Sequence, residues 1–422
     1  MLRLVRVAAI VFTGGFLTLS TTMHAKEVFT SKRAQQLNYP ALPESVLSRN
    51  AVKSSPVKEV DTLLGQQWGL SNIGFFDSFS SLLKPTHATT KACSPAVVVA
   101  VVDTGIDYTH PELQQNLWVN AGETGPWEDP TGKSSCHDKS CNGIDDDGNG
   151  FADDVVGWDF VHDVPFPYDT HGHGTHISGI IAAKGANGNG VEGICPEVTI
   201  MSLKYYDNSG IGYNNLQNTI RAIQYAVKNG AQIINYSGGG ADPALSERMA
   251  IEQANKKGIL FVAAAGNDGH NNEVTPYYPA SYPLDNIISV ASLNKENKLL
   301  PSSNFGKTVM VGAPGLGILS TLPGNRFGTM SGTSQATAFV TGAAALLASQ
   351  YARASDFDYK KVKSWILEGA KPLKSGEGKT LVSSGLLSIP GSLENAQRDL
   401  SRSVPSIALT PEHSKKTLKQ NF

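Results

Sequence analysis

Residues Ala96–Val102 read AVVVAVV, an apolar run without a break. A strand with one wet face alternates apolar and polar residues. A run that does not alternate belongs to a strand covered on both faces, the habit of parallel sheets flanked by helices. The rest of the chain agrees. Val198–Tyr205, Ile233–Tyr236, Ile259–Ala264, Ile287–Ala291 and Thr308–Val311 are further strand candidates. Between them Leu216, Ile220, Ile223 and Val227 recur at helical spacing, with Gly230 placed to end that helix in a left-handed cap. Pro243–Lys257 reads as a second helix, and a small-residue helix runs from near Ser334 through Leu347. Strand–helix–strand alternation predicts an α/β fold, a doubly wound, mostly parallel central sheet with helices on both faces. Ligands in such sheets sit beyond the carboxyl ends of the strands. The 42 glycines in 422 residues follow no Gly-X-Y period and supply tight turns and close backbone approaches.

The formal charge is −2, so no basic surplus points to nucleic acid or an anionic membrane. Residues 1–25 read as a secretory signal: Arg3 and Arg6, the apolar run Val7–Leu19, then Ala25 at the cut. That run is too short to span a membrane comfortably, no other stretch reaches spanning length, and no stable membrane anchor is expected. The expected location is secreted or periplasmic, and the expected state a monomer. Residues 26–64 are polar, carry Pro40, Pro43 and Pro56, and read as a short pro-segment or N-terminal extension. Residues 65–397 form the main domain and 398–422 a polar tail.

Four segments carry residues suited to chemistry. Asp103 ends the first strand, in VVDTGID; His173 lies in HGHGTHISG at the start of an apolar helix. Asn267 follows a strand in FVAAAGNDG, and Ser334 opens the small-residue helix in GTMSGTSQATAFVTG. Taken singly, each has an ordinary reading as turn residue, satisfied histidine or helix cap. Taken together they meet the needs of a serine nucleophile: a base, a carboxylate to orient the base, and a donor for the oxyanion. No G-x-S-x-G elbow surrounds Ser334, so the α/β-hydrolase arrangement is not indicated. The spacing His171, His173, His176 lacks the HExxH pattern, which disfavours a zinc hydrolase.

In combination and order, VVDTGID, HGTHISG and GTSQATAFVTG resemble the subtilisin-like serine proteases, over about Gln66 to Ala396. The resemblance implies a serine endopeptidase acting on polypeptides, with Asp103, His173 and Ser334 as triad and Asn267 as oxyanion donor. The alternative is a catalytically weak member kept for peptide binding. The resemblance further implies that Ser237, Gly238 and Gly239 pair with substrate backbone, that Ala265 and Gly266 form the opposite wall of the side-chain pocket, and that Tyr277 lies near its base. Small or medium apolar side chains are then expected before the cut. The chain departs from the family pattern after the serine: Gln335, Ala336, Thr337, Ala338 and Phe339 replace the usual segment, and Ala338 stands where a proline would kink the helix.

Asn142–Asp154 reads NGIDDDGNGFADD, and Asp145, Asp147 and Asn149 have calcium-loop spacing. The expectation is a structural Ca²⁺ held by Asp145, Asp147, Asn149, Asp153 and the Phe151 carbonyl, with no organic cofactor. By resemblance, Glu112 and the Asn187–Val191 loop form a second candidate ion site. Cys136 and Cys141, five residues apart, can close a small disulfide ring. Cys93 and Cys195 each precede a strand; if those strands are parallel neighbours, the two thiols sit at one end of the sheet and can pair. The alternative, four free thiols, belongs to a reducing compartment.

Overall fold

The computed structural model describes residues 37–47, 60–81, 93–132, 134–208, 214–351, 357–373 and 382–403. The signal segment 1–25 and residues 404–422 of the tail lie outside them.

Eight strands form one parallel sheet: β1 (Val98–Asp103), β2 (Gly157–Asp159), β3 (Thr199–Lys204), β4 (Ile233–Tyr236), β5 (Leu260–Ala264), β6 (Ile287–Leu293), β7 (Val311–Pro314) and β10 (Gly385–Leu386), in the order β10-β7-β6-β5-β4-β1-β3-β2. The apolar run occupies an inner strand, paired with β3 (Val98 opposite Thr199) on one side and β4 (Val99 opposite Ile233) on the other. The unbroken apolar pattern has its reason here. Val99 and Val101 enter one core, shared with Ile177, Ile200 and Val340, while Ala100 and Val102 enter a second, shared with Ile223, Tyr225 and Ile251. Each such side chain withdrawn from water stabilises the fold by about 1.5–3 kcal/mol.

Described helices lie on both faces. They are α1 (Glu44–Leu47), α2 (Trp68–Asn72), α3 (Phe75–Ser81), α4 (His173–Ala182), α5 (Asn215–Lys228), α6 (Leu245–Lys256), α7 (Thr333–Tyr351), α8 (Tyr359–Glu368) and α9 (Ile389–Ser403). Gly230, at φ 76°, follows the end of α5 as expected. Three features differ from the sequence reading. The strand expected at Thr308–Val311 begins at Val311. A two-stranded antiparallel ribbon, β8 (Ile318–Leu322) with β9 (Arg326–Met330), precedes α7. Helix α9 runs to Ser403, into the expected tail, because Leu393 and Ala396 are buried and draw the segment onto the body. No described helix is long and apolar enough to cross a membrane.

Both expected disulfides are formed. Cys93 joins Cys195 with Cα atoms 5.5 Å apart, and Cys136 joins Cys141 at 5.8 Å. The described parts of the N-terminal extension are laced onto the body. Val46 is fully buried in the first core. The Tyr108 hydroxyl donates to the Pro40 carbonyl at 2.6 Å, and Leu63 N–H donates to the Gly190 carbonyl at 2.8 Å.

Candidate active site

The sheet reverses its winding between β1 and β4, and the singled-out residues gather beyond the carboxyl ends of these strands and of β5. Asp103, the last residue of β1, is nearly inaccessible. Its Oδ1 accepts the Thr104 N–H at 2.8 Å and lies 2.7 Å from His173 Nδ1. His173 is the first residue of α4, and Gly174 behind it allows the approach: a methyl group there would strike the Gly105 carbonyl and sit 3.2 Å from Asp103 Cβ. The turn into α4 is organised by Asp169, which sequence reasoning missed. Its carboxylate accepts the N–H groups of His171, Gly172 and Thr175 and the hydroxyls of Thr104 and Thr175. An acidic residue just ahead of a helix start was the available signal. Burial pushes the His173 imidazole down, but the charge of Asp103 and its hydrogen bond outweigh that, and its pKa rises above the ordinary value.

Ser334 is the second residue of α7, a helix packed against α4. Its Oγ donates to the Ser237 carbonyl at 3.1 Å. Asn267, just past β5, accepts both the N–H and the hydroxyl of Thr333 on its Oδ1, at 2.9 and 3.1 Å. Those bonds fix the amide orientation and leave its NH₂ end as a donor. Ser237, Gly238 and Gly239 extend from β4, and Ala265 and Gly266 extend from the adjacent β5, so the two segments flank one gap. The Tyr277 ring stands in that gap, against both Gly239 and Gly266.

The acidic loop is built differently from the expected single ring of ligands. Asp145 turns inward and accepts the N–H groups of Asn149 and Gly150, and Asp153 accepts that of Gly143. Glu123 and Asp147 accept backbone N–H groups in the same way, from Asp146, Asp147 and Asp153 and from Asn149. The three carboxylates that converge are Glu123, Asp147 and Asp154, with oxygen atoms all within 4.8 Å of one another. Asn149 donates to both Asp147 and Asp154, as does Asn120, and Tyr225 donates its hydroxyl to Asp154. Glu123 lies outside the motif and Asp154 one residue past its ninth position, so loop spacing could not find them. Glu123 and Asp154 are fully buried, and burial pushes both carboxyls up to about 7. Close all-oxygen groups, with Glu123 and Asp154 buried and Asp147 at the surface, fit a hard divalent cation, which would offset the desolvation of the two buried carboxyls. At the second candidate site, Asn187 and Asn189 donate to the buried Glu112 at 3.2 and 2.9 Å.

The family model of the subtilases matches residues 94–390, most of the chain. The chain belongs to the subtilase family. Among curated relatives of this subtilase, a thermophilic serine proteinase from a Bacillus species is 37% identical over 60% of the chain and 52% of its own length. Thermitase from Thermoactinomyces vulgaris is 36% identical over 61% of the chain and 77% of its own length. Subtilisin-like protease 1 of Plasmodium berghei is 32% identical over 83% of the chain and 56% of its own length. The chain thus spans about half the length of the first and third of these.

The structure bears on two further sequence readings of this subtilase. Of the residues that depart from the family pattern after Ser334, Phe339 has a packing reason: its ring presses on Gly69, where a methyl group would collide, so α7 and α2 are fitted to each other. The zinc alternative fails. His176 is buried with Nε2 on the carbonyls of Ile318 and Gly328 and its pKa held at about 4, mainly by burial, whereas His171 is exposed with its ring edge against His173.

Proposed function

We propose that this subtilase is an exported serine endopeptidase. The observation that carries the reading is the 2.7 Å contact between the Asp103 carboxylate and His173 Nδ1, on a histidine at the start of α4. That contact directs the imidazole's other nitrogen outward as a base, and α4 packs on the helix that carries Ser334. In the reaction, His173 Nε2 takes the Ser334 hydroxyl proton as Oγ attacks the peptide carbonyl. The Asn267 NH₂ and the Ser334 N–H at the start of α7 hold the oxyanion. The tetrahedral intermediate collapses to an acyl-enzyme as His173 protonates the leaving amine. Water then attacks the acyl carbon as His173 takes its proton, and the second tetrahedral intermediate releases the acid as His173 returns that proton to Ser334 Oγ. Asp103 holds the tautomer and stabilises the imidazolium throughout. The substrate backbone lies against Ser237–Gly239, whose glycines permit close approach.

The residues around Glu123, Asp147 and Asp154 hold a structural Ca²⁺, replacing the larger ring around Asp145 and Asp153. When bound, the ion supplies positive charge to the buried carboxylates and fixes the loop. Two disulfides support an oxidising compartment such as the periplasm or the exterior. Reaction of the purified chain with a fluorophosphonate, followed by peptide mapping, tests the central claim. Label on Ser334 is expected; absence of labelling together with absence of peptide hydrolysis rejects it.

A further inference from the structure

When Ser334 Oγ meets a peptide carbonyl whose oxygen is held by Asn267, the side chain of the acyl residue has one place to go. It enters the gap flanked by the ends of β4 and β5, because Ser237 touches Ser334 and Gly266 directly precedes Asn267. Both flanks of that gap are glycine, which alone would leave a deep slot. The slot is occupied. A methyl group on Gly239 would sit 2.5 Å from Tyr277 Cε1 and 3.0 Å from Cζ, and one on Gly266 would sit 2.9 Å from Cγ and 3.0 Å from Cδ2. One ring therefore reaches both walls, and the two glycines leave room for it together with the Tyr278 carbonyl beside Gly239 and the Asn304 amide beside Gly266. One residue nearer β4, a methyl group on Gly238 would strike the Tyr205 hydroxyl.

The ring cannot back out easily. The Tyr277 N–H donates to Ser281 Oγ at 3.2 Å and its carbonyl accepts the Ser281 N–H at 2.9 Å. The next residue, Tyr278, exchanges backbone hydrogen bonds with Gly240 at 2.7 and 2.8 Å, tying this segment to the wall that the ring contacts. Withdrawing the phenol to admit a large side chain would break this bridge or force a poor rotamer.

We propose that Tyr277 fills the acyl-side-chain pocket, so that the enzyme cleaves polypeptides after Gly, Ala or Ser and rejects Leu, Phe and larger residues. The proposal rests on the serine-peptidase reading and narrows its substrate class. A single methylene too many or too few in an apolar pocket discriminates by about 10–200-fold.

The test uses the full purified chain and fluorogenic peptides that differ only in the residue before the cut: Gly, Ala, Leu or Phe. Fluorophosphonate labelling of the wild type is measured alongside. Wild type is expected to favour Ala over Phe by about tenfold or more in kcat/KM. Tyr277→Gly is expected to raise the Phe-to-Ala ratio by about tenfold or more, while Tyr277→Phe, which keeps the ring and loses only the hydroxyl, keeps the wild-type ratio. Wild type cutting after Phe as readily as after Ala overturns the proposal, as does an unchanged ratio in Tyr277→Gly. If Tyr277→Gly fails to fold, the wild-type profile decides alone. A labelled enzyme with the wrong profile counts against the pocket assignment only. Absence of both labelling and hydrolysis counts against the peptidase reading and takes the pocket assignment with it.

Discussion

At the scale of single residues, the pair Asp103–His173 sets the expected pH behaviour. The base must be neutral to accept the Ser334 proton, and Asp103 raises its pKa above the ordinary value. The kcat/KM profile should therefore fall as pH drops through a value above about 6.5. Asp103→Asn removes the raising influence and leaves the burial, so the acid limb should move to lower pH while the maximal rate falls about 10⁴-fold. A limb that stays in place in Asp103→Asn counts against the pair as the working base. Ser334→Ala should keep the melting temperature and lose hydrolysis to a residual of about 10³–10⁴ over water; undiminished turnover rules Ser334 out as nucleophile. Why these residues were legible is physical. Each sits in a short stretch whose glycines and strand or helix edges are local features, as with Gly174 beside Asp103. Asp169 and Glu123 were missed, because their value lies in backbone N–H groups gathered from several positions, and only the place of Asp169 just ahead of a helix start hinted at it.

At the scale of elements, the sheet was readable because β1, β4 and β5 bury both faces and show unbroken apolar runs. The β8–β9 ribbon was not, since its strand β9 is exposed or half-buried and has little apolar signal. The acidic loop taught a similar lesson: motif spacing described the turn and pointed to Asp147, but did not reach Glu123 and Asp154. This has a measurable consequence. Asp154→Asn should abolish the stabilisation of the loop by Ca²⁺, about 2–3 kcal/mol at a hundredfold excess over Kd, and its protection against cutting near Gly148–Gly150. Asp145→Ala should retain the calcium response, whereas the opposite pattern in the two variants would restore the ring of ligands first expected from spacing. The N-terminal extension supplies another case. Tyr39 reaches a buried charge cluster at the end of β3, where Lys204 Nζ donates to its hydroxyl at 3.2 Å and to the Tyr168 carbonyl at 2.9 Å, beside Asp207 and Asp159. A hydrogen bond to a charged group contributes about 1.5–3 kcal/mol, so Tyr39→Phe should lower stability by roughly that amount in denaturant titration. No change would mean that Tyr39 is not needed to satisfy Lys204.

At the scale of the whole molecule, the sheet brings together residues far apart in the chain, with Asp103, Asn267 and Ser334 each carried in by a different strand or helix. Parallel pairing of this kind closes long loops before contacts repay them, so refolding from denaturant should be slow. The Cys93–Cys195 bridge removes part of that entropy from the unfolded chain. With a separation of 102 residues, loop-entropy reasoning puts its contribution at up to about 4.7 kcal/mol. A Cys93→Ser, Cys195→Ser double variant with unaltered unfolding would show that the bridge constrains nothing. The same bridge has a different consequence for wear. It encloses Asp103, His173 and the acidic loop in one covalent ring, while Asn267 and Ser334 lie outside it. A nick at Gly148–Gly150 would sever the backbone between base and orienting carboxylate yet free no fragment, since the bridge and the β1–β3 ladder still fasten the two pieces. Such a nicked molecule should migrate as one band without reductant and two with it, and should go on working until its sulfurs are reduced. Its service life would then be set by the redox state of its surroundings, and only secondarily by the continuity of its chain.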